Sequence, residues 1–111
     1  MKLLVQSDDY GITPAVARGI LYGIEHGVVR NTGVFTNMPW AEECIEWIRP
    51  YLDKIALGID LNASTGSSLL GYDKVPSLCH EDGSFYTSRE NRALDQDAEN
   101  HDHVVYEEVY A

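Results

Sequence analysis

Three carboxylates in this chain stand where an apolar run gives way to a loop. Asp8 and Asp9 close the stretch Leu3-Leu4-Val5-Gln6-Ser7-Asp8-Asp9-Tyr10-Gly11, and Asp60 follows Ile55-Ala56-Leu57-Gly58-Ile59. Neighbouring carboxylates repel one another unless a cation, a set of donors or a shared proton relieves them. An acidic pair at the carboxyl end of a strand, just ahead of a helix, is where α/β proteins place chemistry. The plainer reading is a solvated loop start in which one acid caps the following turn. Strict strand alternation points Asp8 and Asp9 to opposite sides, which leaves one of them facing any site. The other ligand types are less well placed. His80, His101 and His103 lie in or beside polar, acidic segments and read as surface histidines, and His26 reads as a helix-end residue. Cys44 and Cys79 form no Cys-x-x-Cys pattern, so they indicate neither a zinc knuckle nor a disulfide framework. They read as one half-buried thiol and one loop thiol.

The elements that must hold these acids follow a repeating plan. Residues 3–7 read as a buried strand. Thr13 then suits an N-cap and Pro14 the first helical position. Ala17, Ile20, Leu21 and Ile24 fall on one helix face, with Gly27 at the C-cap and His26 before it. Gly19 and Gly23, four apart, suggest close packing against a neighbour. Thr32 to Asn37 reads as a second strand. A second helix starts at Pro39, carries Ala41, Cys44, Ile45 and Ile48 on one face, and ends at Pro50.

The third strand, residues 55–61, alternates Ile55, Leu57, Ile59 and Leu61 against Ala56, Gly58, Asp60 and Asn62. In a small barrel the small-residue face points inward, the aliphatics pack under the helices, and Asp60 stands on the rim with Asp8 and Asp9. Strand and helix alternating in this way predict parallel strands joined by right-handed crossovers. The chain is thus read as a single partial domain: three βα-type units over 1–62, a turn-rich excursion over 63–92, and an acidic segment over 93–111. That last segment begins a helix-like pattern at Val104 and stops at Ala111 without a closing cap, as though cut. Trp40, Trp47, Tyr51 and Tyr72 read as core or rim packing.

Composition narrows the partners. Eighteen acidic against eight basic side chains give a formal net charge of -10 in 111 residues, which argues against nucleic acid and anionic membrane. A cation or a neutral sugar is easier to accommodate. No run approaches the roughly 20 apolar residues of a membrane span, and the first residues do not form a signal peptide, so a cytoplasmic location is expected.

In order along the chain, five motifs resemble the amino-terminal half of the YdjC family, also called the ChbG/HpnK family of carbohydrate deacetylases. Ser7-Asp8-Asp9-Tyr10-Gly11-Ile12-Thr13-Pro14 is similar to that family's Ala-Asp-Asp-Phe-Gly-Leu-Ser/Thr signature. Glu25-His26-Gly27-Val28-Val29, Asn37-Met38-Pro39, Val75-Pro76-Ser77-Leu78 and Asp82-Gly83-Ser84-Phe85 follow in the family's order. The resemblance implies the amino-terminal part of a deformed (β/α) TIM-like barrel that deacetylates N-acetylated oligosaccharides with a bound divalent metal, magnesium or zinc. It implies Asp9 as a metal ligand and Asp8 as the general base.

Two departures stand out. Where the family has Gly-x-His-Leu, this chain has Gly58-Ile59-Asp60-Leu61, which makes Asp60 a candidate ligand and favours harder cations. The family's later His-rich motif has no counterpart in these 111 residues. The expectation is therefore an incomplete half that needs a carboxy-terminal partner or a homo-oligomer. Two alternatives belong to other classes. A receiver-like phosphoacceptor domain would also use an acidic pair and an Asp after its third strand, although the chain after Asp60 lacks the Ser/Thr- and Lys-bearing strands. A non-catalytic half barrel would bind sugar or protein.

Overall fold

The computed structural model describes residues 1–93 and Glu108. It divides into two compact units, Met1–Asp60 and Leu61–Ala111.

The first unit is a three-stranded parallel sheet with two helices. Its elements are β1 (Val5–Tyr10), α1 (Pro14–His26), β2 (Val29–Val34), α2 (Ala41–Ile48) and β3 (Ala56–Ile59), with strand order β1-β2-β3. Sequential neighbours pairing in parallel make a singly wound sheet, the order used by (β/α) barrels. Doubly wound folds of the receiver type place the first strand between the second and third. The strand order therefore speaks against the phosphoacceptor alternative.

Helix α1 begins and ends where its residues demand. Thr13 has extended backbone angles and its hydroxyl accepts from Val16 N, Pro14 follows, and the Gly27 N–H closes the other end on the Gly23 carbonyl. Arg30 adds bonds to the Ile24, Gly27 and Val29 carbonyls, a cation on the negative end of the helix. Gly23 does sit close to a neighbour, since a Cβ there would come within 3.1 Å of Val29 Cγ2; Gly19 faces open space.

Helix α2 starts at Ala41, two residues later than Pro39 suggests, and runs into a 3-10 turn at Arg49–Tyr51. The core joins Ala17, Ile20 and Ile24 of α1, Cys44 and Ile48 of α2, and Tyr10 and Val34 of the sheet. Tyr10 is fully buried, and its hydroxyl donates to the Cys44 carbonyl at 2.5 Å. Burial holds its phenol in the neutral form to well above the usual range. Tyr10→Phe is expected to cost about 1 kcal/mol in a denaturant melt, the net worth of one such bond.

Two strands differ from the sequence reading. β1 starts at Val5 and runs on through both acids, while Leu3 and Leu4 are exposed. β2 spans Val29–Val34 rather than 32–37. The aliphatics of β3 also depart from expectation. They were read as packing under helices, but Leu57 is 37% and Ile59 64% exposed. β3 is the edge of the sheet, and within this unit no helix covers that side.

The second unit is small. Val75, Leu78, Cys79 and Phe85 form its core, with antiparallel bridges joining Ser67 to Ser84 and Cys79 to Phe85. The excursion after residue 62 is therefore packed rather than open. α3 (Ser88–Ala93) starts with a capping box in which Thr87 and Glu90 exchange bonds, and His80 Nε2 lies 3.2 Å from Glu90 Oε1. The Glu108 carboxylate is buried and accepts from Ser68 Oγ and Leu69 N, both at 2.7 Å. His101, His103 and the rest of the helix-like pattern from Val104 lie outside the described residues.

Cys44 and Cys79 are both free and fully buried, where one was expected to be half-buried; Cys79 does lie in a loop, outside the helices and strands. Burial, then a nearby glutamate, raises each thiol above its ordinary range. Neither is expected to react with a thiol reagent faster than the chain opens. Stopped-flow labelling of either thiol at the rate of an exposed cysteine would contradict this.

Candidate metal and catalytic site

The register of the sheet sorts its side chains into two faces. Ser7, Thr32 and Leu57 are partners across the sheet, as are Tyr10, Val34 and Ile59. Tyr10 and Val34 pack on the helices, so this set is the helix-facing side. The opposite face carries Gln6, Asn31 and Ala56 in one row and Gly33 and Gly58 in the next. Continuing the alternation from Gly58 puts Asp60 on this second face, as the sequence predicted.

Asp8 and Asp9 occupy an irregularity in β1. Ser7 pairs with Thr32 and Tyr10 with Val34, so two residues of β1 stand opposite Gly33 alone. This is a β-bulge, a device that re-aims side chains beside functional sites. It corrects the expectation of strict alternation. The inserted residue lets Tyr10 turn under the helices and leaves both acids exposed. Asp9 takes the left-handed region, φ 67°, the sole non-glycine to do so among the described residues. Aspartate is one of the few side chains that tolerates this geometry.

The chain then turns at once. Ile12 N donates to the Asp9 carbonyl, and Gly11 sits at φ 84°, which a residue with a Cβ resists. The indole Nε1 of Trp40 donates to the Gly11 carbonyl at 2.6 Å and ties the turn down. Asp9 is thus set at the hinge between strand and helix by a turn with bonds at both ends.

Asp60 is held differently. Its backbone N–H donates to the Val34 carbonyl, and its carboxylate lies over Gly33, in the space a Cβ on that glycine would fill. Asp60 Oδ2 is buried and has no hydrogen-bond partner among the described residues. Gly33 is in the middle strand, and the bulge is its neighbour on the other side. The Asp60 carboxylate therefore lies over the middle strand, whose other neighbour is the strand that carries Asp8 and Asp9. No Lys, Arg or His side chain among the described residues pairs with any of the three acids.

Two residues of this face were not singled out from the sequence. Asn31 Nδ2 donates to Gln6 Oε1, and Gln6 Nε2 donates to Asp8 Oδ1, both at 2.7 Å. Only the pairing of Gln6 with Asn31 across β1 and β2 brings them together. The faintest hint was the polarity of Gln6 inside a segment otherwise read as strand; Asn31 fell outside the second strand as read from the sequence.

A divalent cation is implied here, so its fit can be tested on the side chains present. The donors are all carboxylate oxygens, the type that hard cations prefer. The orphaned Asp60 Oδ2 and the glycine that makes room for it are features a ligand site would need. Among the described residues, no group of three His, Cys, Asp or Glu side chains is gathered closely enough to hold an ion. The donor chemistry suits a hard cation, and no cluster among the described residues is sufficient to hold one by itself.

A parallel α/β sheet with acids at the carboxyl ends of its first and third strands defines the class. The sequence matches the family described as YdjC-like protein over residues 2–111, and the chain belongs to that family. Three carbohydrate deacetylases are among its relatives. That of Thermoanaerobacter pseudethanolicus is 31% identical over 75% of this chain and 33% of its own length. That of Enterococcus faecalis is 34% identical, over 77% and 33%. That of Listeria monocytogenes serotype 4b is 35% identical, over 87% and 40%. A crystal structure from Enterococcus faecalis V583, of a protein put forward for cellobiose-phosphate cleavage, superposes with a TM-score of 0.81 at 29% identity. That match covers 96% of this chain and 40% of the other. The chain thus spans between a third and two-fifths of the length of these relatives. Among the described residues, no helix is long and apolar enough to cross a membrane.

Proposed function

We propose that this chain carries the first part of a carbohydrate deacetylase site, a deformed (β/α) barrel fold in which Asp9 and Asp60 hold a divalent cation and Asp8 is the general base. The observation that carries this reading is the open face of the sheet. A bulge exposes Asp8 and Asp9 together, and a glycine in the neighbouring strand makes room for the Asp60 carboxylate. When bound, a divalent cation supplies a more acidic water and polarises the acetamide carbonyl.

The chain's own residues do the rest. Asp9 and Asp60 present negative oxygens to the cation, and magnesium or manganese suits that donor set better than zinc. Asp8, exposed and already oriented by Gln6, accepts the proton that the attacking water releases and is placed to return it to the departing amine. The substrate would be an N-acetylated oligosaccharide, since the relatives named above are carbohydrate deacetylases.

The site is completed by further polypeptide, either a carboxy-terminal portion or another subunit. The exposed Leu57 and Ile59 on the β3 edge support this, because an unpaired, aliphatic edge strand invites a further strand. A non-catalytic half barrel that binds sugar or protein is the second reading, and the same open edge favours it.

Acetate release from N-acetylated chito-oligosaccharides by the chain together with the polypeptide that completes its site, with magnesium or manganese present, tests the first reading. Release that is lost in Asp8→Asn supports it. No release, with the sugar still bound in a calorimeter, favours the binding module. Incorporation of phosphate at Asp60 from acetyl phosphate would revive the phosphoacceptor alternative.

A further inference from the structure

We infer that Gln6 and Asn31 are positioning residues that hold Asp8 as a base, an inference that rests on the reading of Asp8 given above. The two hydrogen bonds form a chain with a direction. Ionised Asp8 can only accept, so Gln6 must turn its NH2 toward it. That leaves Gln6 Oε1 facing Asn31, which must therefore present a donor, and its Nδ2 does so at 2.7 Å. Asn31 sets which end of the Gln6 amide faces Asp8, and Gln6 sets where the Asp8 carboxylate points.

The sheet builds this arrangement. Gln6 and Asn31 are register partners on adjacent strands, and Gln6 and Asp8 are two apart on the same strand, Gln6 ahead of the bulge and Asp8 within it. Gln6 and Asn31 are held by paired backbone, so the two amides that reach Asp8 in the bulge are anchored on the sheet. Arg30, the nearest cation in sequence to Asn31, is taken up by carbonyls at the end of α1. The carboxylate is thus steered by a neutral donor, which orients it without the full charge compensation a cation would bring.

Directionality separates this role from a merely structural one. Asn31→Asp keeps the shape at position 31 but replaces the donor with an acceptor. Gln6 must then turn its NH2 toward residue 31 and offer its oxygen to Asp8. Gln6→Leu removes the link outright, at an exposed position where the fold tolerates the change.

The experiment uses the chain together with the polypeptide that completes its site, magnesium chloride and N-acetylated chito-oligosaccharide. Both variants are expected to lower kcat about tenfold, the scale of losing an orienting partner, with KM and magnesium affinity unchanged. In 15N-labelled chain, the Gln6 side-chain amide resonances are expected to move in Asn31→Asp even without substrate or metal. Unmoved resonances, or full kcat in both variants beside an active parent, would overturn the positioning role alone. An inactive parent would overturn the reading of Asp8 and this role with it.

Discussion

Gly33→Ala is expected to evict the Asp60 carboxylate and to lower divalent-cation affinity by about tenfold or more, the scale on which even indirect support of a metal ligand counts. The added Cβ would occupy the space that the carboxylate now fills over Gly33. What must yield is the far end of a two-torsion side chain rather than backbone, so the sheet itself should survive. A buried oxygen with no partner among the described residues is also no asset to the fold. Moving it should leave the unfolding midpoint nearly unchanged, or raise it. Calorimetric titration with manganese, beside a denaturant melt, checks both halves. A large loss of stability with cation affinity intact would show that Gly33 serves packing and not the site.

Asp9→Asn carries the second large effect. Asparagine accepts the left-handed backbone at φ 67° about as readily as aspartate, so the bulge and the turn to Gly11 should persist. The lost charge should lower manganese affinity by at least about tenfold. Asp9→Ala separates the backbone from the ligand. It removes the carboxylate as well, and it adds roughly 1 kcal/mol of strain in a region that alanine resists. A melt should therefore distinguish Asn from Ala at this position while titration finds them equally poor. Equal stability of the two would mean that the left-handed turn at Asp9 is not maintained.

Much of this was legible because local chemistry decided it. Thr13 and Pro14 start α1 and Gly27 ends it through caps that need no tertiary partner. The alternation of β3 put Asp60 on the small-residue face because a period of two leaves little choice. The acids of β1 were harder. Alternation alone sends Asp8 and Asp9 apart, and only the pairing of Ser7 and Tyr10 with Thr32 and Val34 reveals the inserted residue that exposes both. A bulge is a property of two strands, and the sequence of one does not contain it.

The same limit hid the Gln6–Asn31 chain, which depends on register, and shifted β2 toward Val34 and Phe35 and away from Arg30 and Asn31, whose polarity disguised a strand. The aliphatics of β3 were misplaced for a related reason. Period and hydrophobicity show that Leu57 and Ile59 share a face, but not whether anything covers it. Glu108 lay in a stretch read as an acidic, helix-like segment, and its burial depends on Ser68 and Leu69, some forty residues earlier.

The proposed site has Asp9 and Asp60 as cation ligands with Asp8 beside them. An acidic chain of net charge -10 attracts cations everywhere, so charge must be controlled. The measurement is manganese binding, followed by the electron paramagnetic resonance of the free ion, in the parent and two triple variants. One replaces Asp8, Asp9 and Asp60 with asparagine. The other makes the same charge change at Glu42, Glu43 and Glu46 of α2, with glutamine. With the polypeptide that completes the site present, one saturable manganese site is expected in the parent and in the helix variant, and none in the sheet variant. Equal loss in both variants, or a site retained without the three aspartates, would contradict it.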